Sequence, residues 1–152
     1  MISIISYQPE LNDFFYSINK EWIEEFYEMT AEDEMILKNP QKIVETGGEI
    51  FFAMKNMNVI GTGALAKTND NEYELIKMGV TKKYRKQNAG FALMNAAIQF
   101  ARDRQAKKII LETATELQAA IHLYEKFQFK RVGEEYKHPL FRRKVFKMEL
   151  EL

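Results

Sequence analysis

The chain has 152 residues, 46% of them hydrophobic and 29% charged, with 22 basic side chains against 22 acidic ones and no cysteine. That size and balance suit one globular domain, residues 1–152, large enough to bury most of its apolar surface. Disulfides, thiolate metal sites and a cysteine nucleophile are excluded. No apolar run approaches the roughly 18 residues a membrane span needs. No basic stretch leads into an apolar one at the N-terminus, so a cytoplasmic protein without a membrane partner is expected.

The charge is unevenly spread. Residues 1–50 hold 11 acidic and 3 basic side chains, and the remainder 11 acidic and 19 basic. Either the domain is bipolar, offering an anionic ligand one end and a cationic one the other, or the two halves fold together and cancel.

"ISIISY" is a short apolar strand candidate. Leu11, Phe14, Phe15, Ile18, Trp22 and Phe26 then recur at helical spacing behind Pro9, which predicts a helix with these residues in the core. "TAED" at Thr30 to Asp33 has the form of a helix cap with an acidic first turn, and Asn39-Pro40 marks a break. "EIFFAMK" and "VIGTGALA" flank the short loop "NMN", a hairpin pattern, and "EYELIKMGV" is a third strand after the turn "KTNDN". Gly79 inside that strand predicts a bulge or a close backbone approach.

A basic loop follows, then a helix from about Gly90 to Arg104 and the strand "KKIILET". "TELQ" at Thr115 to Gln118 fits a capping box opening a helix to about Lys126. "FKRVGEEY" and the alternating "VFKMELEL" close the chain as strands. The order is β, two helices, three meandering strands, then αβαββ: an α+β fold on a mixed sheet.

The stretch "KKYRKQNAG" lies between a strand and a helix start, where the first backbone N–H groups have no intrahelical partners. With its positive dipole end and Gly90 allowing close approach, such a terminus suits phosphate oxygens. Lys82, Lys83, Arg85 and Lys86 add charge at its mouth. A nucleic-acid surface is the weaker reading, since the run is short and no aromatic platform accompanies it.

Three segments carry a resemblance: "ELIKMGVTKKYRKQNAGFALM", "KIILETATELQAAIHLYEKFQF" and "EEYKHPLFRRKVFKMEL". Together they resemble the GNAT superfamily of acyl-CoA-dependent N-acyltransferases over essentially the whole chain. The family's loop Arg/Gln-x-x-Gly-x-Gly/Ala lands on Arg85, Asn88 and Gly90, with Asn replacing the first glycine. The family's "A-x-x-L-Y-E-K-x-G-F" is found as "AIHLYEKFQF", with Gln128 in place of glycine. Asparagine tolerates the left-handed conformation best among non-glycine residues, and Gln128 sits where a helix would end in it, so both departures are mild.

The resemblance implies a mostly antiparallel mixed sheet of about seven strands with flanking helices, splayed at the cofactor-binding strand. It implies acetyl-CoA as co-substrate, an amine acceptor, no metal, and compatibility with a homodimer. The pyrophosphate would lie on the amides of Gln87, Asn88, Ala89, Gly90, Phe91 and Ala92, helped by Arg85 and Lys86. The pantetheine arm would run beside Met78, Gly79 and Val80, with an N–H near Met78 on the thioester oxygen. Tyr124 stands where the family places the donor to the departing thiolate, and Glu74 where it often places the base. Glu72 shares the strand face of Glu74 and stays open as an alternative.

Other residues receive lesser expectations. His122 is two positions from Tyr124, hence on another helix face, and is read as a surface or packing residue. His138 precedes Pro139 and is read as a turn residue. Two distant histidines and no cysteine make a metal site improbable. The acidic run from Glu21 through Glu34 is read mainly as a solvated helix face. The implied activity is direct acetyl transfer to a primary amine of a small molecule or peptide. The alternatives are a non-catalytic acyl-CoA-binding module and, behind it, a nucleic-acid binder.

Overall fold

A computed structural model describes residues 1–152. Seven strands form one sheet: β1 (Ser3–Ser6), β2 (Glu49–Lys55), β3 (Asn58–Asn69), β4 (Glu72–Val80), β5 (Lys108–Thr113), β6 (Lys130–Lys137) and β7 (Lys144–Glu151). Across the sheet they run β1-β2-β3-β4-β5-β7-β6. Neighbours are antiparallel except β4 and β5. The helices are α1 (Asn12–Phe26), α2 (Ala31–Leu37), α3 (Pro40–Glu45), α4 (Ala89–Asp103) and α5 (Gln118–Lys126). None is long and apolar enough to cross a membrane.

Local chemistry accounts for most boundaries. Thr30 and Asp33 form a reciprocal capping box: Asp33 donates its N–H to the Thr30 hydroxyl at 3.1 Å and accepts the Thr30 N–H at 2.9 Å. Asn39-Pro40 does more than end α2. Proline at the first helical position pre-sets φ, so a third short helix starts there, where two helices were expected. Lys55 pairs with Asn58, leaving Asn56 and Met57 as a two-residue turn with φ of 50° and 67°. Two positive φ values in that position match the right-handed twist of the strands they join.

The capping box expected at Thr115 does not form. A turn closes from the Leu117 N–H to the Ala114 carbonyl, leaving Thr115 outside the helix, and α5 opens at Gln118 with no side-chain cap.

Alternation along the strands sorts side chains to two cores. On one face, Leu93, Met94 and Ala97 of α4 pack on Phe51, Leu65, Tyr73, Leu75 and Leu111. On the other, Phe15 and Ile23 of α1, Leu37 of α2 and Ile43 of α3 cover Ile50, Phe52 and Ala64. Phe15 is 0% exposed, so its truncation to alanine should cost about 3–5 kcal/mol. The helical spacing overstated the core of α1. Phe14 and Phe26 are 41% and 43% exposed and Trp22 is only half-buried, because the apolar stripe is wider than the sheet beneath it.

The acidic and basic halves meet. Glu25 binds Arg85 at 2.8 Å, Glu21 accepts the Lys82 N–H at 2.9 Å, and buried Asp33 lies between Lys77 and Arg143. Part of the charge asymmetry cancels in space, at Glu25 with Arg85 and at Asp33 with Lys77 and Arg143.

Strand β4 is irregular in two places. First, Thr62 pairs with Gly79 and Ala64 with Ile76, so Gly63 faces both Lys77 and Met78, and Lys77 takes φ 51°. The bulge thus centres on Lys77 and Met78, just before Gly79. Glycine at position 79 answers a different need: a Cβ there would stand 2.3 Å from Trp22 Cδ1. Second, β4 and β5 pair only from Glu72 with Lys108 to Glu74 with Ile110. Beyond Glu74 the two strands part.

Candidate functional site

Beside the end of β4, past the point where the strands part, lies a cavity of about 700 Å³. Its walls come from β4 (Met78, Gly79, Val80), the loop and start of α4 (Arg85, Lys86, Asn88 to Phe91), α5 with its approach (Glu116 to Ala120, Leu123, Tyr124) and α1 (Trp22, Phe26). Of the residues expected to hold a cofactor, Gln87 and Ala92 fall outside this lining. The Gln87 side chain accepts from Lys55 instead.

The start of α4 leaves several backbone amides unpartnered. Asn88 holds φ 71° and ψ 12°, the left-handed region that its side chain tolerates, and makes no side-chain cap. Ala92 gives its N–H to the Asn88 carbonyl at 3.0 Å, so the amides left without an intrahelical partner are those of Ala89, Gly90 and Phe91. The expected run of six amides narrows accordingly. At Gly90 an added Cβ would meet only Leu123 Cδ2, at 3.2 Å. Gln128, the other replaced glycine, has φ 75° just past the end of α5.

Arg85 works as a strut. Both of its Nη atoms are directed at Glu25, at 2.8 and 3.2 Å, and its Nε donates to the Val80 carbonyl at 3.3 Å. Thr81 gives its N–H to the Ile60 carbonyl on β3 at 2.8 Å. Strand alternation then turns the N–H group of Val80 toward the open side of β4.

Tyr124 lines the cavity and is 8% exposed. Burial pushes its pKa up to about 12, so the hydroxyl keeps its proton at neutral pH. Glu74, the last residue of β4 paired with β5, faces away from the α4 core. Burial first, and the nearby charge of Glu112 second, raise its pKa to about 7, against a smaller opposing effect of Lys147. Glu72 stands two residues back from the opening and is tied to Lys108 at 3.4 Å and to the Thr68 hydroxyl at 2.6 Å. Tyr124 thus lines the cavity, whereas Glu74 stands at the last β4–β5 pair and is not among the residues lining it, and Glu72 belongs to the closed end.

Long-range contacts add groups that the linear sequence did not single out. Glu112 accepts a hydrogen bond from the Tyr136 hydroxyl and lies 3.4 Å from His138 Nε2. Alternation in "KIILET" signals this residue, since it places Glu112 opposite the buried Ile109 and Leu111. His138 otherwise serves its turn, its Nδ1 accepting the N–H groups of Leu140 and Phe141 at 3.1 and 3.2 Å. His122 is exposed on the cavity rim.

Asp33 is fully buried rather than solvated, bound by Lys77 Nζ and Arg143 Nη2, each at 2.6 Å. Burial would raise its pKa, but hydrogen bonds from Arg143, Lys77 and the Thr30 backbone outweigh that and lower it to about 2. Nothing local in the sequence signals this triad, whose members come from α2, the β4 bulge and the turn before β7. Tyr27, just past α1, donates to Glu116 at 2.6 Å and so joins the α1 wall of the cavity to its α5 wall.

Comparison with known proteins agrees with the fold. Human N-acetyltransferase 8 is 28% identical over 141 residues, covering 90% of this chain, and the chain spans about 60% of that protein's length. A GNAT-family acetyltransferase from Staphylococcus aureus superposes with a TM-score of 0.87 at 20% identity, covering 99% of both chains. One from Elizabethkingia anophelis with acetyl-CoA bound gives 0.73 at 17% identity, covering 99% of this chain and 98% of that one. These two likenesses speak for the fold. The acetyltransferase (GNAT) family profile matches residues 12–129, most of the chain, from the start of α1 to the residue before β6, and the chain belongs to that family.

Proposed function

We propose that residues 1–152 form one N-acetyltransferase domain that moves an acetyl group from acetyl-CoA to a primary amine of a small molecule or peptide, by direct transfer with both substrates bound. The observation that carries this reading is the convergence on one fork of three features. They are the unpartnered amides at the start of α4, the open edge of β4 and the protonated hydroxyl of Tyr124. A carboxylate poised near neutral pH, Glu74, stands at the apex of the fork.

The site fits acetyl-CoA in size and in donors. The N–H groups of Ala89, Gly90 and Phe91, with the charge of Lys86, would hold the pyrophosphate. The N–H groups of Met78 and Val80 would receive the pantetheine arm, and that of Met78 would stabilise the thioester oxygen as it gains charge. When bound, acetyl-CoA supplies the activated acetyl group.

Glu74 accepts a proton from the acceptor's ammonium, directly or through water, so that the nitrogen lone pair can attack. As the C–N bond forms and the C–S bond breaks, Tyr124 donates its proton to the departing sulfur, and the second proton of the attacking nitrogen returns to the Tyr124 oxygen, directly or through water. The chain contains no cysteine to carry the acetyl group between the two substrates, which favours direct attack. Arg85, one of the loop's basic side chains, is held by Glu25, which weighs against a nucleic-acid surface.

Thiol release from acetyl-CoA in the presence of a panel of amines and peptides tests the proposal. Amine-dependent release is expected. CoA binding without release from any amine would leave a binding module, and no thermal shift at millimolar CoA would remove the cofactor site itself.

A further inference from the structure

The wall that α1 sets over β4 is held more firmly than a helix resting on a sheet requires. Trp22 lies so close to Gly79 that a Cβ there would come within 2.3 Å of its Cδ1 and 2.9 Å of its Nε1. The ring is also held from behind. Trp22 Nε1 donates to Asn19 Oδ1 at 2.8 Å, and Asn19 Nδ2 donates to the Phe15 carbonyl at 2.8 Å. Asn19 is 0% exposed, and a buried amide is costly unless its groups are bonded. Here both ends of the amide are used, and the result is a fixed indole orientation.

The indole is only half-buried, and it lines the cavity together with Met78, Gly79 and Tyr124. Those residues surround the place assigned to the thioester. A flexible side chain in this position could swing aside for a longer acyl chain. A flat ring pressed on backbone and pinned through its nitrogen cannot move without breaking the Asn19 contact or opening the α1–β4 packing.

We infer, building on the acyl-CoA reading of this slot, that Trp22 sets the length of acyl group the site accepts and selects acetyl over longer chains, with Asn19 as its positioning residue. A cavity wall discriminates a single methylene by roughly 10- to 200-fold. Removing the indole should therefore erase a large preference.

The test measures binding of CoA, acetyl-CoA, butyryl-CoA and hexanoyl-CoA by calorimetry, and turnover of each thioester with one accepted amine. The proteins are wild type, Trp22→Ala, Trp22→Leu and Asn19→Ala, with thermal unfolding recorded for all. Wild type should prefer acetyl-CoA to butyryl-CoA by at least about ten-fold. Trp22→Ala should lose most of that ratio while still binding CoA, and Asn19→Ala should fall between the two. Trp22→Leu keeps apolar cover on Gly79 and replaces Trp22→Ala if the latter does not fold. Equal use of acetyl-CoA and hexanoyl-CoA by wild type, or a ratio unchanged within two-fold in the folded Trp22 variant, would overturn the inference and leave the acyl-CoA site standing. Absence of binding by CoA and every thioester would instead defeat the acyl-CoA reading.

Discussion

Glu74 and Glu112 lie on one face of neighbouring strands just where β4 and β5 part, and neither carboxylate forms an ion pair with the other's strand. Burial of Glu74, then the charge of Glu112, keeps a proton on Glu74 up to a pKa of about 7. A base that titrates near the working pH is well matched to removing a proton from an ammonium. The rate at low substrate should rise with pH through about 7, and in Glu74→Gln that rise should shift toward the acceptor amine's own pKa. An unaltered pH profile would move the base elsewhere, with Glu112 next to be tested.

The same shift bears on stability. The folded-state pKa of Glu74 lies above its ordinary value of 4.5. The native state therefore holds more protons between those limits, and stability falls as pH rises through them. The cost is absent below pH 4.5 and fully present above about 7. Glu74→Gln should accordingly stabilise the protein at pH 8 by about 1–3 kcal/mol and do little at pH 4.5, as thermal unfolding at the two pH values would show.

Tyr124→Phe keeps the ring in its core position and removes the only proton the side chain can give. Turnover should fall by about a hundred- to ten-thousand-fold, with acetyl-CoA affinity changed little. Full activity in this variant would return Tyr124 to a packing role. Because its pKa is near 12, no loss of the wild-type donor is expected below pH 10.

At Asn88 the backbone is left-handed, with φ 71°. Asn88→Gly should hold or slightly improve CoA binding, since glycine meets no penalty there. Asn88→Val should weaken binding or disorder the loop through a strain of about 1–3 kcal/mol. Calorimetry with CoA at fixed salt compares the three proteins, and equal affinities for valine and glycine would detach Asn88 from the cradle.

Asp33→Asn leaves Lys77 and Arg143 buried, at 8% and 11% side-chain exposure, without their shared anion. A loss of about 3–5 kcal/mol is expected. Glu24→Gln, on the exposed face of α1, should change stability by less than about 0.5 kcal/mol. The Asp33 pKa is lowered from 3.8 to about 2. Its contribution is thus complete above pH 3.8 and lost as pH falls toward 2, so the wild-type advantage over Asp33→Asn should shrink in acid.

The strands were legible because alternation records which face is buried, and all seven were anticipated within a few residues. The start of α4 was legible because its pattern is local: a strand end, a basic loop, an asparagine able to turn left-handed and a glycine. Errors arose where a local pattern had a rival. Thr115 could cap a helix, but the turn after β5 took its backbone first. Trp22 fits a core stripe, yet its ring faces a cavity beside the end of β4.

The sequence by itself determined the order of elements, because that depends on side-chain periodicity and on residues near one another in the chain. The proposed phosphate loop and the candidate pair Tyr124 and Glu74 came from the resemblance to the family's motifs. Only the tertiary structure decided the electrostatics of the site. The pKa of Glu74 is raised by burial and then by Glu112 from the next strand, and Arg85 is turned to Glu25 from a distant helix. Asp33 is held by Arg143 from 110 residues away. Charge interactions act through space and grow as water is excluded. Their strength is set by which elements the fold brings together and how deeply it buries them, and the linear order of the residues carries neither quantity.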